Sequence, residues 1–309
     1  MNMTSSRPLL TRRRFLGAST LLGAGLTISA CDFGEEPQAN EQLLELATAL
    51  RSAQKNSEAK QAKKWSGFLG KQYDLVTEET RRLCGTDSKG NTPQGCVEKI
   101  SETKNAPRKA VSLDKVYDRA LNSELGAPAS LIAGLSAAYQ AASNKERLKH
   151  PLEVSAEVVE GFSNPDVDVA AEFRTLLTLT YGAIYASGVA LAKSPEDKTR
   201  SRIQSLADQL RVLRDLTTDV LEKLDSEVPT PEPGYTQGEA DGKQSAAEYF
   251  HPTLLPITTQ LRRITGLASN AQAVAYAANW VGANAWGEAT LERLQGKDPK
   301  DVPLRGEPA

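Results

Sequence analysis

Seven positions between Ile203 and Leu224 fall alternately three and four residues apart: Ile203, Leu206, Leu210, Leu213, Thr217, Val220 and Leu224. That spacing holds one mostly apolar side chain per turn on a single stripe. It predicts a helix over about 196–226. A stripe this narrow suits neighbouring helices that pack at shallow angles, as in a bundle. Its flanks carry Arg200, Arg202, Asp208, Arg211, Arg214, Asp215, Asp219 and Glu222, read as a solvated face.

The rest of the chain fits the same plan. Residues 41–71 are rich in Ala, Leu, Lys, Glu and Gln, all good helix formers, and a second helix is expected to resume near Tyr73. Further helices are expected over 113–121, from Pro128 to Ala142, and over 151–161. Asn164 or Asp166 is a capping candidate for the next helix, and Ser194-Pro195 its stop. Its uncharged part, residues 175–192, invites reading as a membrane span, but its Thr, Gly and Ser content fits a buried bundle helix better. A long Pro/Gly connection over 227–244 suits a crossing from one end of a bundle to the other. Two last helices are expected, one within 251–267 and one over 270–294, before a tail at 297–309. Alternating Val, Ile, Thr and Tyr runs bounded by turn residues are missing, so the expected class is all-α.

The N-terminus states an address. In "TRRRFLGASTLLGAGLTISACDF" a basic head precedes an uncharged run from Phe15 to Ala30, shorter and milder than a spanning helix requires. Thr11, Arg12, Arg13, Phe15 and Leu16 resemble the twin-arginine export consensus, with Gly17 where Lys is usual. Ile28, Ser29, Ala30 and Cys31 resemble a bacterial lipobox. The resemblance implies cleavage before Cys31 and acylation of its thiol, with the twin-arginine machinery as export partner. The product is a protein held by membrane lipid at the outer face of the cytoplasmic membrane. Two or three acyl chains anchor stably where one is marginal. A plain secretory signal and a permanent N-terminal span are the competing readings.

Composition follows from that address. The net charge is -2; losing four signal arginines leaves 33 basic and 39 acidic residues, a net of -6. No clustered Lys and Arg call for nucleic acid. Cys31 assigned to lipid leaves Cys84 and Cys96 as one candidate disulfide across the polar loop "CGTDSKGNTPQGC". Closing such a loop is worth about 3 kcal/mol. A redox pair is the alternative, though CxxC spacing is absent.

From about Val167 to Pro308 the chain resembles the ferritin-like domain of unknown function found in actinobacterial secreted or lipid-anchored proteins. The matching residues are "YGAIYASGVA" (181–190), "LRVLRDLT" (210–217), "PTPEPGY" (229–235) and the Ala-rich last helix with Trp280. The resemblance implies a ferritin-like four-helix bundle in the C-terminal half, packed with an additional N-terminal helical segment. The expected order is a signal over 1–31, a tether over 32–40, a helical segment over 41–163, the bundle over 164–296 and the tail. Where that family often has Glu-His and a His, this chain has Thr180-Tyr181 and Leu210, so the family's metal ligands are not carried over.

Other chemistry is sparse. A di-iron bundle needs inward Glu residues and two Glu-x-x-His pairs. The only histidines are His150 and His251, and the single Glu-x-x-His runs from Glu248 to His251, followed by Pro252. Glu248 and His251 are therefore weak metal candidates. No P-loop, Gly-x-Gly-x-x-Gly or Gly-x-Ser-x-Gly occurs. No cofactor is expected. The leading expectation is a non-catalytic binding or scaffolding protein of the cell envelope, its protein or small-molecule partner unknown. One alternative is a metal-handling protein or metal-dependent envelope enzyme. Another is a small-molecule carrier with Tyr181, Tyr185, Trp280 and Trp286 lining a pocket between helices.

Overall fold

A computed structural model of the protein describes residues 38–87, 89–144, 153–163, 167–194, 196–235 and 244–307. The export-signal residues Arg12, Arg13, Phe15 and Leu16 and the lipobox ending at Cys31 lie outside the described residues. So do His150, Asn164 and Asp166.

Among the described residues the secondary structure is α-helix and one 3-10 turn, with no strand. The helices are α1 (Glu41–Ala59), α2 (Lys63–Cys84), α3 (Gln94–Thr103), α4 (Leu113–Ser123) and α5 (Gly126–Ala142). They continue with α6 (Ala156–Gly161), α7 (Val169–Lys193), α8 (Asp197–Lys223), α9 (Ala246–Leu267) and α10 (Ala271–Leu294). The 3-10 turn spans Pro299–Asp301.

Asn40 caps α1 by accepting from the Leu43 N–H at 2.9 Å, and Leu43, Leu46 and Leu50 turn the helix inward. The chain reverses at residues 60–62, where Gln61 sits at φ 56°, so the break comes earlier than the expected one near Tyr73. No Gly or Pro marks it. Packing of α1 against α2 sets the turn, overriding uniformly helical propensity. The α3 helix was not anticipated; it is short and polar. Cys84 ends α2 and Cys96 lies in the first turn of α3, with their sulfurs at bonding distance and Cα atoms 6.5 Å apart.

The α8 stripe packs as its spacing demands. Ile203, Leu206, Leu210, Leu213, Thr217 and Val220 are buried, mainly against α7, while Leu224 caps the helix half-buried. The α7 helix has a mean hydropathy of 1.4 over its most apolar window, enough by length and composition for a membrane crossing. One face of it, Phe173, Leu176, Leu177, Ala183, Ala186 and Ala190, is nevertheless buried, and the helix packs on α8 and α9. Asp168 caps it by accepting from the Ala171 N–H.

At the centre, α10 packs on α9 and α5 and touches α4, α6 and α8. It is buried nearly all round, from Ala273 to Glu292. Such a helix shows no stripe, because every side meets protein. Through α4 and α5 the N-terminal helices pack directly onto the C-terminal ones. One apolar cluster accordingly runs from Leu43 to Leu304. Complete burial of a Leu or Phe in such a cluster contributes roughly 1.5–3 kcal/mol.

Two segments depart from the sequence expectation. The α9 helix starts at Ala246, ahead of the expected 251–267, and runs through Pro252 and Pro256. Ser245 and Glu248 form a capping box there, each side chain accepting from the other's backbone N–H. The segment over 297–307 is docked where a free tail was expected. Gln72 donates to Pro303 O and Leu135 O, the Arg305 N–H donates to Gly134 O, and Arg262 donates to Gly306 O. Gly134 permits this close approach, since a Cβ there would lie 2.6 Å from Arg305 O. Gly306 turns the chain at φ 74°, a conformation glycine adopts without strain.

Candidate functional site

The docked C-terminal segment inserts one charge into the core. Arg305 is 2% exposed and meets two carboxylates one turn apart on α10, Glu288 and Glu292, themselves 1% and 5% exposed. Its Nη1 donates to Glu288 Oε2 at 3.0 Å and to Glu292 Oε1 at 2.6 Å, and its Nη2 donates to Glu292 Oε2 at 2.7 Å. The fork on Glu292 is bidentate, the strong geometry for this pair. Arg305 Nε is buried without a hydrogen-bond partner among the described residues.

On the α9 side the cluster is closed by neutral groups. Asn284 of α10 donates to Leu254 O at 2.8 Å and to Thr258 Oγ1 at 2.6 Å, which leaves the Thr258 hydroxyl to donate to Glu288. His251 Nε2 lies 3.4 Å from Glu292 Oε1, close enough for charge attraction and without hydrogen-bond geometry.

The two glutamates are driven apart electrostatically. Burial pushes the Glu288 carboxyl up, aided by the charge on Glu292 and opposed by Arg305 and Thr258. Burial works on Glu292 in the same sense, but the hydrogen bonds and charge of Arg305, with His251 close by, overcome it and bring that carboxyl down to about 2. Split carboxylates can serve acid–base chemistry when a substrate reaches them. Here both are bonded to one guanidinium inside the core. The surface cavities at Trp286, at the α4–α10 junction and at the α1–α3 junction are lined by neither.

The metal candidates take separate roles. Glu248 is turned back on the start of α9, accepting from the Ser245 N–H at 2.8 Å, and that backbone contact lowers its carboxyl. His251 faces Glu292. Among the described residues no three His, Cys, Asp or Glu side chains stand together in a group able to hold a metal ion.

The four aromatic residues are not brought into one pocket. Trp280 is 1% exposed in the core, whereas Tyr185 is 46% exposed and packs with Tyr235 at 5.8 Å. Tyr181 is half-buried on α7, and Trp286 lines a groove at the far end of α10.

Glu288, Glu292 and Arg305 were missed in the sequence, although one signal was present. The α10 segment carries no charge from Ala271 to Gly287, so an acid at 288 repeated at 292 interrupts an otherwise neutral helix. Nothing local marks Arg305. It stands in a Pro-, Gly- and charge-bearing stretch that reads as solvated.

Compared with known proteins, the chain matches no family model, no curated protein and no solved structure. Its class rests on its own geometry, an all-α protein whose interior carries a compensated ionic cluster.

Proposed function

We propose that the protein is a lipid-anchored envelope protein with a non-catalytic binding or scaffolding role, built on a ferritin-like bundle of α7, α8, α9 and α10. The observation that carries the non-catalytic half is Arg305. Its guanidinium supplies the positive charge that two buried helix carboxylates require, and it arrives from the protein's own C-terminal segment. A bundle core with inward carboxylates is the usual setting for metal ions in ferritin-like proteins. In this chain an internal cation performs the neutralising task, since both carboxylates are bonded to the Arg305 guanidinium. The long connection between α8 and α9 supports the bundle topology, since ferritin-like folds join their helix pairs by one crossover.

The anchored half rests on the sequence of the N-terminus. Replacing Cys31 by Ser is expected to release the protein from membranes or block its maturation; unchanged membrane retention contradicts lipid anchoring. Elemental analysis of the protein purified after export tests the other half. The expected result is no stoichiometric iron, manganese or copper, and stoichiometric metal overturns the reading.

A further inference from the structure

At the end of α10 remote from its N-terminal cap, Trp286, Thr290, Arg293 and Leu294 share one helix face and form one wall of a groove of about 430 Å3. Lys198 and Arg202, one turn apart near the start of α8, form the other side. That volume lies in the usual range for small-molecule sites. Three cations converge on it, and among the described residues no carboxylate lines it.

The charge balance is unlike the rest of α8. Arg211, Arg214 and Lys223 each pair with an aspartate on their own helix. Arg200 bonds to Ser194 O. By contrast, no ion pair joins Lys198 or Arg202 to any of the described residues. Arg293 adds a second peculiarity. Its Nη2 donates to Ala141 O, while Nη1 is buried with no hydrogen-bond partner among the described residues. A buried guanidinium donor left unbonded is costly, and Arg293 thus keeps a positive charge that no described carboxylate bonds beside the groove. Burial indeed lowers the proton affinity of Arg293, a pressure that neighbouring Glu292 opposes and Arg305 adds to.

We propose that this groove binds a small organic anion, a phosphate ester or carboxylate that carries a planar apolar group. The cations take the anionic head and the half-buried Trp286 ring, with Leu294, takes the flat apolar part. Cation–π attraction and ring stacking make Trp a suited partner for such ligands. A polyanion is a poorer fit, because the groove is small and the whole chain carries a net charge of -2. The proposal deepens the binding half of the reading above and rests on it.

Calorimetric titration of the exported chain with 1-naphthyl phosphate tests the site. Saturable one-to-one binding is expected, weakened by added salt, with 1-naphthol binding at least about tenfold more weakly. The double variant Lys198→Gln/Arg202→Gln changes exposed side chains and leaves the core intact; it is expected to lose about tenfold in affinity or more. Trp286→Ala is expected to lose a similar factor. No saturable binding, equal affinity for the uncharged naphthol, or undiminished affinity in the double variant overturns the proposal. Release of naphthol from the bound ester supports the site and contradicts the non-catalytic reading, whereas absent binding removes the site and leaves that reading standing.

Discussion

The pairs Asp208–Arg211 and Glu292–Arg305 join the same chemical groups in opposite settings. On α8, Arg211 and Asp208 keep 42% and 61% of their side-chain surface in water. In the core, Arg305 and Glu292 keep 1% and 6%. Water and salt already solvate the first pair, so its contact adds little. For the second pair no water substitutes for a lost partner, and each member becomes a liability without the other. A list of ion pairs is therefore a poor guide to what holds this protein together; their depth decides.

The largest test of that difference removes the interior cation. Arg305→Met leaves Glu288 and Glu292 buried without compensation and is expected to cost about 3–5 kcal/mol in urea unfolding. Next comes the pH dependence of the same cluster. Glu292 titrates near 2 in the folded chain against an ordinary 4.5. Its stabilising contribution is thus complete above pH 4.5 and is lost as pH falls from there toward 2. Glu288 is shifted the other way, so its contribution is already complete below pH 4.5 and adds no slope in that window. Glu292→Gln should flatten the decline of the melting temperature between pH 4.5 and 2.5; an unchanged slope contradicts the assignment.

Smaller effects are expected outside the core. Ser245→Ala breaks the capping box at the start of α9 and should cost about 1 kcal/mol. Asp208→Ala on α8 should change stability by less than about 0.5 kcal/mol. A cost for Asp208→Ala approaching that of Arg305→Met would erase the comparison.

Legibility in the sequence follows the same division between surface and interior. The α8 helix announces itself because one side is wet and the other dry, which imposes the three-and-four spacing from Ile203 to Val220. The α10 helix was locatable through its Ala-rich run, but no periodic pattern reveals which residues its sides meet. The α1–α2 reversal at Gln61 is set by packing, without a turn residue to advertise it. The Ser245 and Glu248 capping signal was present in the sequence and was hidden behind Pro252 and Pro256. Of the interior cluster, the acids on α10 left a trace. Arg305 left none, because its burial depends on contacts with α2, α5 and α9 far away in the chain. Arg202 was read as part of a solvated face, and its position in a cationic groove depends on where α10 ends relative to α8.

The central claim is that Arg305 balances the two buried carboxylates of α10. Its most direct test compares the urea-unfolding free energy of Arg305→Met with that of the same change made together with Glu288→Gln and Glu292→Met. If charge compensation is what Arg305 provides, removing the acids regains most of the roughly 3–5 kcal/mol lost by the single variant. A single variant that costs under about 1 kcal/mol, or a triple variant no more stable than the single, contradicts it.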